Sequence, residues 1–236
     1  MKKSKIIKLL NFVCILLFLV TLSCVVTPKP PIDRDKILML EQELTRWETF
    51  KLTGMTELQY QAFSIRGQVI MAKYEDKFRF DILNQGILGL GGGVLMAFYV
   101  DKEQAQTRMF GSSSIETYRF DTDDISLDML SNQSSIGSRI GDVAGFFSEN
   151  LFQAIYSQRE KILENNKAEI EGFEIIFNDE MRLSEISHPN QNIGITFIYD
   201  RQLNLTELRI NTPITRNFII HVDKIEHENI IVQPLR

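Results

Sequence analysis

Cysteine is almost missing from this sequence. The chain has two cysteines, Cys14 and Cys24, and residues 25–236 contain none. That part has no disulfide, so a hydrophobic core must hold it together. It also lacks an apolar run of the roughly 20 residues that a membrane-spanning helix needs. A net charge of -5 and a pI near 5.4 give no electrostatic reason to expect nucleic acid or an anionic membrane surface as a partner.

Patterns typical of catalytic and metal sites are missing as well. Residues 111–116 read GSSSIE, which offers hydroxyl groups but no G-x-S-x-G nucleophile turn. The acidic run at 121–124 lacks the glycine and the twelfth-position acid of a calcium loop, and helix capping explains it more simply. The histidines show no H-E-x-x-H spacing: they are His188, His221 and His227. We therefore predict no enzyme activity, no catalytic residue, no metal and no cofactor.

A glycine-rich stretch at residues 83–95 reads LNQGILGLGGGVL. It does not fit a nucleotide-binding loop, because the last glycine of G-x-G-x-x-G is missing and no Gly-Lys-Ser/Thr follows. Its large aliphatic residues stand among glycines, where they are either an exposed apolar loop tip or side chains folded back on a sheet edge. These residues are Ile87, Leu88 and Leu90.

The first residues have the pattern of a secretory signal, with lysines followed by an apolar run from Leu9 to Leu22. The Leu-Ser-Cys ending at Cys24 resembles the lipobox of bacterial lipoproteins. It predicts a signal peptide at 1–23, lipid attached to Cys24, a proline-rich tether at 24–34 and a single domain at 35–236. The alternative is an uncleaved N-terminal anchor. Both readings place the domain outside the cytoplasm.

Apolar periodicity predicts a mainly β (α+β) fold. Two segments have helical spacing: the first carries Ile37, Leu40, Leu44 and Trp47, and the second runs from Gly141 to Leu163 and includes Phe147. Alternation with period two predicts strands on both sides of the second helix. They cover Phe63–Met71, Phe78–Ile82, Val94–Val100, Gln104–Phe110, Phe173–Phe177, Ile193–Tyr199, Thr206–Ile210 and Phe218–Val222. We expect one large antiparallel sheet whose apolar face is covered by the helices.

Several of these segments together resemble a known family. The lipobox cysteine, the Arg66-Gly67 strand, the hairpin DKFRFDILNQGILG and the closing strands GITFIYDRQLNLTELRI and NFIIHVDKI are similar to the LolA/LolB lipoprotein carriers. The similarity is greatest to the outer-membrane receptor LolB. It implies an open, half-closed antiparallel β-barrel with an N-terminal helix and inserted lid helices, whose apolar cavity receives the acyl chains of lipoproteins.

The resemblance also suggests a role for the glycine-rich stretch. The matching loop of the receptor presents an exposed leucine just before a glycine, and Leu88-Gly89 is the corresponding pair here. The receptor has Asn-Pro before that leucine, whereas this chain has Gly86-Ile87 and a longer loop. An apolar tip on such a loop suits contact with lipid. We therefore expect Ile87, Leu88 and Leu90 to contact the membrane.

Large side chains on neighbouring elements are candidates for the lining of the acyl cavity, although an ordinary filled core is the alternative. They are Trp47, Phe78, Phe80, Met96, Phe98 and Phe147. The expected function is a periplasm-facing, lipid-anchored carrier or receptor that helps place lipoproteins in the outer membrane. Its expected partners are acyl chains, the membrane and a periplasmic carrier protein. A structural or surface lipoprotein that binds another apolar ligand or a protein is the second hypothesis, and a lipid hydrolase is the third.

Overall fold

The computed structural model describes residues 34–60, 63–84, 93–108, 114–119, 149–170, 172–212 and 215–236. Asp33–Arg236 form one compact unit. Several predicted features lie outside the described residues and stay predictions. They are the signal peptide, Cys24, the aliphatic residues Ile87, Leu88 and Leu90, and Phe147.

Helix α1 spans Arg34–Glu48 and buries one stripe, as the spacing of its apolar residues predicts. Leu40, Leu44 and Trp47 face the core, while Leu38 stays exposed. The end of the helix is held by a buried lysine, because Lys73 Nζ donates hydrogen bonds of 2.9 Å to the carbonyl oxygens of Glu48 and Glu75. Free carbonyls at a helix C-terminus attract such a cation.

Twelve antiparallel strands form a single open sheet in the described part of the chain. The spatial order is β6-β5-β4-β3-β2-β1-β12-β11-β10-β9-β8-β7, so the two end strands are not paired with each other. The strands are β1 Phe50–Tyr60, β2 Phe63–Tyr74, β3 Lys77–Leu83, β4 Val94–Val100, β5 Gln104–Arg108, β6 Glu116–Arg119, β7 Lys167–Ile170, β8 Phe173–Phe177, β9 Leu183–His188, β10 Ile193–Tyr199, β11 Leu205–Asn211 and β12 Thr215–Glu226. The predicted open antiparallel fold is confirmed.

One face of this sheet carries buried apolar side chains from β5 to β7, because the strand register places large side chains opposite one another. The end strand β6 contributes none, since its four residues are exposed. Phe80 lies between Met71 and Phe98 on its two neighbouring strands. The same row crosses the centre of the sheet through Leu52 and reaches Ile225 of β12. Buried apolar side chains on eleven of the twelve described strands thus build one inner face.

The inserted helical region differs in detail from the prediction of one helix from Gly141 to Leu163. The structure has two short helices, α2 at Glu149–Ser157 and α3 at Arg159–Asn165, and residues 141–148 lie outside the described part. Helix α2 ends where Ser157 Oγ donates to the carbonyl oxygen of Ala154. A serine that bonds its own helix in this way favours a helix end. The helices lie between the two halves of the sheet in sequence, as expected.

Four strands have no clear signal in the sequence. The inner face of β1 includes Gly54 and Thr56, so its alternation is not apolar throughout. In β9 the buried residues Leu183 and Ile186 are three apart, because a register irregularity interrupts the pairing of β8 with β9. The short strands β6 and β7 have only four residues each. Period two is lost wherever a bulge or a small residue enters a strand.

After β12 the chain crosses to the outer face of the sheet. We call residues 227–236 the C-terminal strap; it contains no helix or strand. Its side chains form a second apolar cluster with residues on the outer faces of β2 and β4. The cluster comprises Ala72, Ala97, Tyr99, Ile230, Val232 and Leu235, with Ile115 packed beside it. The sheet is therefore covered by helices on its inner face and, in part, by the strap on its outer face.

Candidate functional site

The inner face collects five of the six predicted cavity residues into one cluster. Trp47 reaches it from α1, Phe78 and Phe80 from β3, and Met96 and Phe98 from β4. Each has at most 3% of its surface exposed. These side chains pack against one another, and an acyl chain would have to separate them to enter. Whether they line an acyl cavity therefore stays a prediction.

Aromatic rings join the helix layer to both halves of the sheet. The indole ring of Trp47 meets Phe50 of β1 at 5.2 Å and Phe197 of β10 at 5.3 Å, both edge to face. Phe80 of β3 meets Phe218 of β12 at 6.0 Å with a similar geometry. Edge-to-face pairs at these distances are favourable beyond the apolar area that they bury. Trp47 thus ties α1 to strands on both sides of the sheet centre.

Sequence reasoning missed one polar site on the inner face, centred on the carboxylate of Glu43. This side chain is fully buried in the stripe of α1, between Leu40 and Trp47. Its Oε1 accepts hydrogen bonds from the Trp47 indole nitrogen at 2.8 Å and from the Leu183 backbone nitrogen at 3.1 Å. Its Oε2 accepts one from Arg182 at 2.6 Å. A buried carboxylate needs such partners to offset its lost hydration.

Tyr199 of β10 completes the polar site. Its hydroxyl donates to the carbonyl oxygen of Leu183 at 2.8 Å and lies 3.3 Å from Oε1 of Glu43. Burial and the charge of Glu43 raise the pKa of Tyr199, so the phenol keeps its proton. The arrangement is suited to holding α1 on the sheet. A glutamate three positions after Leu40 and four before Trp47 was the signal in the sequence, since it stands in an otherwise apolar stripe.

The three histidines lie in separate settings. His221 is exposed on β12, and its Nδ1 lies 3.5 Å from Oε2 of Glu207. His227 Nδ1 lies 2.9 Å from the backbone oxygen of Thr49, and the His188 ring packs edge to face on Phe173. Within the described ranges no three His, Cys, Asp or Glu side chains are grouped as metal ligands.

A pocket of about 510 Å³ lies on the opposite side of α1 from the core. Seven of its eight lining residues are polar or charged, and none of the predicted cavity residues is among them. The lining residues are Leu38, Glu41, Gln42, Thr45, Arg46, Glu48, Thr49 and His227. An acyl chain needs an apolar enclosure, which this open depression does not offer. Among the described helices, none has the length and apolar character to cross a membrane.

Comparisons with known proteins extend over most of the chain but at low similarity. No family model and no curated protein matches the sequence. A LolA superfamily protein from Nitrosomonas europaea has a similar solved structure, with 8% identity, a TM-score of 0.41, and coverage of 86% of this chain and 96% of that chain. A DUF1329 family protein from Desulfovibrio piger has 7% identity and a TM-score of 0.33, with coverage of 85% and 95%.

Proposed function

We propose that this protein is a lipid-anchored carrier that binds acyl chains between its sheet and its helices and helps to place lipoproteins in the outer membrane. One observation carries the proposal: buried apolar side chains from every described strand except β6 form one continuous cluster on the inner face, and helices pack on it. A continuous apolar face under movable helices can take up an acyl chain by exchanging one apolar contact for another.

Acyl binding requires part of the helix layer to move, because the inner side chains are packed. Helix α1 is held by buried polar contacts at Glu43 and Lys73. Helices α2 and α3 contribute apolar side chains such as Phe152 and Ile162 to the core. Polar contacts of α2 and of the turn that follows it include the 3.3 Å bond from Tyr156 to Glu41 and the 3.0 Å bond from Gln158 to Glu169, both exposed. Exposed bonds contribute little. We infer that α2 and α3 move while α1 stays.

The proposed location and the proposed transfer of cargo rest on the sequence. The lipobox predicts lipid on Cys24, and the following residue is Val25 rather than the aspartate that retains lipoproteins in the inner membrane. We therefore propose a periplasm-facing position on the outer membrane, as for the receptor LolB. Ile87, Leu88 and Leu90 would contact lipid, and a periplasmic carrier would deliver the cargo. No catalytic step is part of this function.

Two neighbouring aromatic residues provide a matched test of acyl binding. Phe98 and Tyr99 are consecutive on β4, each is 1% exposed, and they point to opposite faces of the sheet. Both truncations remove a buried ring, so Phe98→Ala and Tyr99→Ala should both destabilise the fold. We expect a fluorescent fatty acid to bind the parent chain, Phe98→Ala to change its affinity at least about tenfold, and Tyr99→Ala to change it much less.

Absence of fatty-acid binding by the folded parent would contradict the proposal, as would equal changes in both variants. Mass spectrometry of ligands that co-purify with the Cys24→Ala protein would identify what the inner face holds. The alternative function is a structural or surface lipoprotein that binds another apolar ligand or a protein. Depletion in cells separates the two, because mislocalised lipoproteins support sorting and normal localisation supports the alternative.

A further inference from the structure

The outer face of β2–β5 carries an apolar groove that is separate from the inner face. Small side chains at Ala72 and Ala97 lie beside the large ring of Tyr99, and all three are buried. The C-terminal strap fills this groove with three aliphatic side chains, each only 7 to 8% exposed. They are Ile230, Val232 and Leu235. The side chain between the first two, Ile231, is 78% exposed.

Polar side chains of the sheet hold the strap by its main chain. Arg79 Nη1 donates to the carbonyl oxygens of Gln233 at 3.0 Å and Pro234 at 3.5 Å. The backbone nitrogen of Leu235 donates to Oε1 of Gln106 at 2.8 Å. Arg108 donates to the backbone oxygen of Arg236. These bonds would form with any extended polypeptide, because none of them involves a side chain of the strap.

The strap does not satisfy every polar group beneath it. Asp81 is buried next to the groove, and its Oδ2 accepts a 2.8 Å bond from Arg79 Nε. Its Oδ1, like the Nε of Arg108, is buried without a hydrogen-bond partner within the described chain. Asp81 and Arg108 pair with Ala97 from its two sides, so both belong to this groove. An acceptor and a donor are thus left open to a different occupant.

The attachment of the strap is also separable from the fold of the sheet. Since the strap contains no strand, its release would break no ladder of the sheet. Its tether to β12 keeps it at a high local concentration, on the order of millimolar, which favours the strap over a free peptide of equal affinity. The groove is therefore self-occupied until the strap is displaced.

We propose that the outer face of β2–β5 is a docking groove for an extended segment of a protein partner. The segment carries aliphatic side chains at positions i, i+2 and i+5, as Ile230, Val232 and Leu235 do in the strap. The strap is its internal competitor. Recognition combines apolar pockets with bonds to the peptide main chain, and a donor on the partner segment can reach the open oxygen of Asp81.

A labelled peptide with the sequence of residues 228–236, ENIIVQPLR, tests the groove directly. The full-length chain with Val232→Glu should bind it at least about tenfold more tightly than the parent chain, because a buried glutamate expels the strap. Ile231→Glu is the matched control, since that side chain is already exposed, and it should bind like the parent. A peptide whose own Val232 is replaced by Glu should not bind.

A cleavable version covers the case in which Val232→Glu does not fold. A protease site inserted between Glu228 and Asn229 leaves the strap native until it is cut, and the cut protein should then bind the peptide. A second peptide should bind equally well if it keeps the three aliphatic positions and changes the polar ones. Failure of the folded, cut protein to bind either peptide overturns the proposal. Concentration-dependent dimers of the parent that Val232→Glu abolishes would instead make a second copy the occupant, and would also overturn it.

Discussion

Arg182 Nη1 donates a 2.6 Å hydrogen bond to Oε2 of Glu43, and the two residues are 139 positions apart in the sequence. The bond joins α1 to the start of β9, in the half of the sheet that follows the inserted helices. The carboxylate is fully buried, whereas the arginine side chain is 28% exposed. Removal of one partner of such a pair leaves buried polar groups without compensation.

Substitutions of Glu43 should therefore destabilise the fold, and the loss of stability should be larger when more of its acceptor oxygens are removed. Glu43→Ala leaves the Trp47 indole N–H and the Leu183 backbone N–H without their acceptor. We expect the free energy of unfolding to fall by about 3 to 5 kcal/mol. Glu43→Gln keeps one acceptor oxygen and should lose less. Urea unfolding measures both, and the exposed Thr45→Ala on the same helix is the control. Equal stability of Glu43→Ala and Thr45→Ala would show that the carboxylate does not hold α1.

Gly54 marks a close approach of β12 to β1. A Cβ atom at this position would lie 2.2 Å from the backbone oxygen of His221, next to a register irregularity of β1. Gly54→Ala must push two strands apart, and we expect a loss of about 1 to 3 kcal/mol in unfolding free energy. Gly93→Ala is the control, because nothing lies within 4 Å of its Cβ position. It should be neutral or stabilise by up to about 1 kcal/mol. Similar losses in both variants would contradict the β1–β12 register.

The sequence predicts this fold best where one side of a strand is uniformly apolar. The strand Val94–Val100 was predicted with the observed bounds, since Met96 and Phe98 stand at period two on a buried face. Strand β1 was missed because Gly54 and Thr56 replace large apolar side chains where neighbouring strands come close. The local apolar pattern of a sequence indicates which side chains are buried. It does not show where a side chain must be small because a neighbouring strand occupies the space.

In the candidate site, too, local spacing predicts some residues and not others. Trp47 and Phe80 were predicted to face the interior, and they do, because large apolar residues at regular spacing have no other favourable place. The partners of Glu43 could not be predicted, since Arg182 and Tyr199 come from strands far along the chain. Nor did composition indicate that residues 227–236 cross to the outer face, because that path depends on Arg79 and Gln106.

Anchoring by lipid can be tested at one residue. Cys24→Ala should release the protein from membranes, because the sequence beyond residue 24 has no apolar stretch long enough to span a bilayer. Metabolic labelling with a palmitate analogue followed by membrane fractionation is the measurement, and Cys14→Ala is the control that should remain labelled and membrane-bound. Label that persists on the Cys24→Ala protein would end the lipoprotein hypothesis.

The glycine-rich loop should matter for transfer rather than for folding. Insertion of a leucine into lipid contributes about 1 to 2 kcal/mol, which can orient a protein that a lipid already holds at the surface. Leu88→Glu should leave thermal stability and fatty-acid binding unchanged and should block delivery of bound lipoprotein to liposomes. Asn84→Asp is a control that adds a charge at an exposed position before the loop. Delivery at the parent rate would exclude the loop as the transfer element, and an unfolded variant would place Leu88 in the core.

Asp81 should make the stability of the folded chain fall as the pH rises. Burial raises the pKa of this carboxyl group above its ordinary value of 3.8, although the hydrogen bond and charge of Arg79 and the charge of Arg108 oppose the shift. A pKa that is higher in the folded than in the unfolded state means that folding favours the protonated form. The stability from this group is therefore complete below the unfolded pKa and is lost as the pH rises through the folded pKa.

Comparison with Asp81→Asn isolates this effect, because asparagine is neutral at every pH and keeps an acceptor oxygen for Arg79. The free energy of unfolding of the parent, relative to Asp81→Asn, should decrease between about pH 3 and pH 7 in urea titrations. Asp200 provides a control of opposite sign. Hydrogen bonds from Asn204 lower the pKa of this exposed carboxyl group, so the parent should gain stability relative to Asp200→Asn over the same range. If the two differences change in the same direction, burial does not govern the titration of Asp81.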